Sequence, residues 1–143
     1  MATKITLGGN PKHFTKPVEI ILIDGSTDKL SVRFIYRTRS QFAEMADKRT
    51  AEIEAAIKAE IEKEQAERAA NPDAAPARIS TSENYRRHDE MLADQVLLIA
   101  DGWELQDEFN KESLLQLEDK FPGSLQRIAR VYAQAVAEVR AKN

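Results

Sequence analysis

Apolar and polar residues alternate in the first forty positions, and apolar residues recur at helical spacing after them. Thr3 to Leu7 alternates, with Ile5 and Leu7 on one side, and predicts a short strand. Val18 to Ile23 is rich in β-branched residues and predicts a second strand. Asp24-Gly25 marks a turn, and the polar run through Ser26, Thr27 and Asp28 predicts a longer hairpin loop. Residues 30–37 then place Leu30, Val32, Phe34 and Tyr36 on one face and Ser31, Arg33, Ile35 and Arg37 on the other. The first hairpin strand is apolar on both sides: Ile20 and Leu22 point one way, Ile21 and Ile23 the other. Ile35 joins that second face. Ile21, Ile23 and Ile35 are therefore the candidate partner-binding residues, against the alternative that a helix or the 3–7 strand covers them.

From Ser40, a suitable N-cap, the period becomes helical. Phe42, Met45, Ile53, Ile57 and Ile61 form a stripe interrupted by Arg49. Glu44/Lys48, Glu54/Lys58 and Glu64/Arg68 are i, i+4 pairs in the favoured order, each worth about 0.3–0.5 kcal/mol. A helix over 40–69 is ~45 Å long, against a diameter of about 37 Å for a compact domain of this length. It carries no large apolar side chain past Ile61, so its last turns are expected to reach solvent or another subunit. The isoleucines are spaced four and four, which does not indicate a long coiled coil.

Residues 70–82 are rich in Ala and Pro and predict a mobile linker. Ser80 and Glu83 have capping-box spacing. Tyr85, His88, Leu92, Val96 and Ile99 continue as a buried helical stripe, which Gly102 is expected to close as a left-handed C′ residue. Asn110 caps a helix over 111–119, with Leu114, Leu115 and Leu117 inward, ended by Phe121-Pro122. Pro122 then suits the first turn of a last helix carrying Leu125, Ile128, Tyr132, Val136 and Val139. Trp103 is expected to be buried against Tyr132 or Phe121.

The fold expected is α+β: an N-terminal β-hairpin or three-stranded antiparallel sheet, followed by a mainly helical body of about four helices. One domain is expected, divided into a hairpin region at 1–39, a long amphipathic helix at 40–69, the linker at 70–82 and a helical region at 83–143.

Chemistry narrows the function. The 143 residues include no cysteine and two histidines, His13 and His88, a poor supply for zinc. No G-x-S-x-G surrounds any serine, and neither phosphate-binding glycine motif is present. Glu104 with Asp107 or Glu108, and Glu118 with Asp119, are carboxylate pairs whose default place is the surface. No catalytic residue, cofactor or metal site is assigned, and no enzyme is expected. Net charge is −3, distributed as +4 over 1–39, −3 over 40–82 and −4 over 83–143. The N-terminal cations are spread singly, so nucleic acid is not an expected partner. The longest apolar run, Val96 to Ala100, is far too short to span a membrane, and MATKITLGGN has no signal-type apolar core.

Gly102-Trp103-Glu104-Leu105, then a capped helix, then Phe121-Pro122-Gly123, then a Leu125/Ile128/Tyr132/Val136 helix ending at Lys142-Asn143, resembles the tail assembly chaperones of long-tailed bacteriophages. The hairpin entering a helix through Tyr36-Arg37-Thr38-Arg39-Ser40 is also similar. The likeness is firmest over 83–143, weaker over 16–45 and absent over 62–82. It implies a non-enzymatic protein of the host cytoplasm that coats the tape measure protein and keeps its apolar helical segments soluble while the tail tube assembles. The tail tube protein is an additional partner it implies, and a further copy of the chain is the partner that the long helix leaves open. A small structural or adaptor protein retained in the particle is the alternative.

Overall fold

A computed structural model describes residues 3, 5, 7–9, 11–75 and 78–141, the side chains of 139–141 excepted. The fold is α+β, a three-stranded antiparallel sheet with four helices. The chain divides into two compact units, Thr38–Ser80 and the discontinuous remainder, Met1–Arg37 with Thr81–Asn143.

The discontinuous unit holds the sheet, in which β1 (His13–Ile21) pairs with β2 (Thr27–Ile35), and β2 pairs with β3 (Ala100–Trp103). The third strand is thus not the one expected at 3–7. Thr3, Ile5 and Leu7 lie in no strand, and positions 4 and 6 fall outside the described residues. Two physical reasons apply. The inner edge of the hairpin is taken by β3, and its outer edge carries Pro17, which has no amide to donate. Ser31 gives its amide and carbonyl to Glu104 on the β3 side. Its partner Pro17 therefore sits at a non-hydrogen-bonded pair, with its proton-less nitrogen toward the free edge.

The hairpin loop is also shorter than expected. Leu22 and Ser26 still pair (amide to carbonyl, 2.8 Å), so the loop is Ile23-Asp24-Gly25. Gly25, at φ 85°, supplies the left-handed residue that such a three-residue loop requires.

Alternation in β1 and β2 decides what is buried. Val18, Ile20, Leu30, Val32 and Phe34 are buried on the face where α4 (Ser124–Ala141) packs on β1, with α2 (Thr81–Ile99) and α3 (Lys111–Lys120) packed beside α4. Leu92, Val96, Ile99, Leu114, Leu117, Leu125, Ile128 and Tyr132 complete the core. Phe14, Phe34 and Tyr132 form an aromatic cluster, with centroids 5.5–6.0 Å apart. The Tyr132 hydroxyl donates to the Ile35 carbonyl at 3.0 Å and accepts from Arg37 Nη1 at 3.2 Å, joining α4 to the end of β2.

Several boundaries differ from expectation. The buried stripe of α2 starts at Leu92, because Tyr85 and His88 are exposed. Gly102 is not a left-handed cap: α2 runs straight into β3, where Gly102 lies so close to Arg33 that a Cβ on it would stand 3.4 Å from the guanidinium Nε. The left-handed role falls to Gly123, at φ 91°, between α3 and α4. Pro122 sits in that turn rather than in the first turn of α4.

The other unit contains α1 (Arg39–Ala70), and the described residues between it and Ser80 form neither helix nor strand. Its cap is Thr38, not Ser40. The Thr38 hydroxyl accepts from the Gln41 amide, and the Gln41 side chain accepts from the Thr38 amide, a reciprocal box. Ala, Glu, Lys and Gln, all strong helix formers, dominate α1, and none of its residues is buried.

Candidate interaction surface

The three candidate residues do not form one patch. Ile21 ends β1 opposite Thr27, and Ile23 lies in the loop, so both belong to the hairpin tip. They are 41% and 95% exposed. Ile35 pairs with His13 at the other end of the hairpin and is half-buried. The eight steps from Thr27 to Ile35 amount to about 27 Å at roughly 3.4 Å per residue.

The tip is a preorganised turn. Asp24 Oδ1 accepts from the Ser26 amide at 2.9 Å and from its hydroxyl at 2.5 Å. The Ser26 hydroxyl, then its amide, hold the Asp24 carboxyl below its ordinary pKa. The loop thus holds Ile23 outward on a fixed backbone.

At the Ile35 end of the hairpin, the outer sheet face carries a polar clasp that crosses all three strands. Asp101 on β3 meets His13 Nε2 of β1 at 2.6 Å and Arg33 Nε of β2 at 2.7 Å. Partial burial pushes the Asp101 carboxyl up, but the hydrogen bonds from Arg33 and His13 outweigh it and leave it below its ordinary value. Sequence reading missed this cluster. His13 and Arg33 share the outward phase of the alternation, but Asp101 lies in a four-residue strand interrupted by a bulge and a glycine.

Trp103 is half-buried, and its partner is neither Tyr132 nor Phe121. Its ring meets Phe109 edge-on at 5.0 Å, and its Nε1 donates to the Asp107 carbonyl at 2.8 Å. The tryptophan therefore folds the 104–110 loop onto itself.

The carboxylate pairs are divided among backbone tasks. Glu104 Oε1 accepts from the Ser31 amide at 2.9 Å. Glu118 accepts from the amides of Gly123 and Leu125, at 2.9 and 3.1 Å, so the end of α3 caps the start of α4. Among the described residues no three acidic or histidine side chains converge as a metal site, and no helix is long and apolar enough to cross a membrane.

The hairpin thus ends in an exposed apolar tip and is joined to α4 by an aromatic cluster. No curated protein matches the chain, and no solved structure does. A family model described as phage tail assembly chaperone matches residues 1–143, the whole sequence. The chain belongs to the phage tail assembly chaperone family.

Proposed function

We propose that this chaperone binds apolar segments of the tape measure protein and keeps them soluble in the host cytoplasm until the tail tube closes around them. The whole-length family match carries the reading. Ile21 and Ile23 support it, because apolar side chains held outward on a rigid turn cost little entropy to dock. Binding proceeds by burial, at about 25 cal/mol per Å² of apolar surface removed from water, and without catalysis. Many copies along one long target make a weak single contact sufficient, since neighbouring contacts add avidity. The tail tube protein is a second partner under the same reading.

Co-expression tests it. The soluble fraction of the tape measure protein is measured with and without this chain, and a clear rise is expected. If a folded, abundant chain leaves that fraction unchanged and is itself found in finished particles, the structural adaptor replaces the chaperone.

A further inference from the structure

The thirty-two residues of α1 bury no side chain, yet three isoleucines project from its middle turns. Ile57 and Ile61 are 55% and 49% exposed, and Ile53 is partly covered. At about 100° per residue, a spacing of four advances by about 40°, so Ile53, Ile57 and Ile61 form one oblique ridge. Ridges of this kind pack against the same kind of ridge on another helix.

This ridge is symmetrical about Ile57. A second copy turned end for end sets Ile57 on Ile57, and Ile53 on Ile61. Glu54 and Lys58 share one flank of the ridge. The same turn brings Glu54 of each copy alongside Lys58 of the other, so the surface is complementary to itself in charge as well as shape. Glu64 and Arg68, three and seven residues beyond Ile61, lie on the same face of the helix. Parallel copies would set each of these charges against its own duplicate. Opposed copies direct them toward Thr50 and Ala46, and also oppose the helix dipoles.

We propose that α1 is a self-association surface on which a second copy of the chain packs antiparallel, with the twofold axis at Ile57. This pairing stands independently of what the hairpin tip binds.

The chain has no cysteine, so single introduced thiols report the contact directly. The full-length variants I53C, I57C and I61C are oxidised mildly. I57C is expected to form a disulfide-linked dimer. I53C mixed with I61C is expected to cross-link about tenfold faster than either does alone, because cysteines whose Cα atoms lie more than ~7 Å apart do not bridge without backbone movement. In sedimentation, E54K is expected to lose the dimer and E54K/K58E to regain it, with circular dichroism showing equal helix content. Faster linking of I53C and I61C to themselves overturns the antiparallel arrangement. A wild-type chain that stays monomeric, together with an I57C variant whose thiol is shielded only by a tail protein, overturns self-association and assigns the ridge to that client.

Discussion

Tyr132 concentrates the most structure in one side chain. Its ring closes the cluster with Phe14 and Phe34, and its hydroxyl reaches the Ile35 carbonyl. Tyr132→Phe is expected to cost about 0.5–1.5 kcal/mol, the net worth of a hydrogen bond. Tyr132→Ala is expected to cost about 3–5 kcal/mol, since a cavity is left as well. Urea denaturation of the two variants separates the hydroxyl from the ring. Glu118 is different, because its value lies in satisfying the amides at the start of α4. Glu118→Ala is expected to lose about 1–2 kcal/mol, in the range of lost helix caps, and Glu118→Gln less, since one acceptor oxygen remains. Both residues show what sequence does and does not disclose. Tyr132 lay on the apolar phase of a clear helical repeat. Glu118 looked like a surface acid, because its target amides arise when α3 and α4 fold back on each other.

At the scale of elements, the hairpin and the last two helices were legible, because Leu30/Val32/Phe34 and Leu125/Ile128/Tyr132 keep strict periods over buried faces. β3 was not legible. Its four residues include Gly102, and it exists because β2 offers an edge that only the folded chain creates. The candidate site was legible in part: sequence alternation identified outward isoleucines at the hairpin tip, but the register that separates Ile35 from them is a property of the pairing. The clasp on β3 has a pH signature. The Asp101 carboxyl is lowered in the folded state, so its contribution to stability is fully present above the ordinary carboxylate pKa of ~3.9. That contribution is lost as pH falls through the lower folded value. Stability measured from pH 6 down to about 2 is expected to show this acid loss in the wild type, and a shallower loss in Asp101→Asn.

For the whole molecule, the geometry of the hairpin sets how binding should divide among residues. Ile21 and Ile23 share the tip, whereas Ile35 lies about 27 Å away at roughly 3.4 Å per residue. Substitutions at neighbouring sites couple, and those more than about 10 Å apart add within about 0.5 kcal/mol. Under the proposed function, Ile21→Lys and Ile23→Lys are therefore expected to weaken tape measure binding non-additively, because either charge spoils the same small contact. Ile35→Lys is expected either to have no effect on binding or to add independently. Its neighbour Tyr132 also makes it the variant most exposed to a stability loss, since the Ile35 carbonyl receives the tyrosine hydroxyl. Thermal unfolding separates the two effects: the tip variants should keep the wild-type melting temperature, because Ile23 touches solvent rather than core. Tip variants that melt normally and still solubilise the tape measure protein as well as wild type would move the contact off the hairpin.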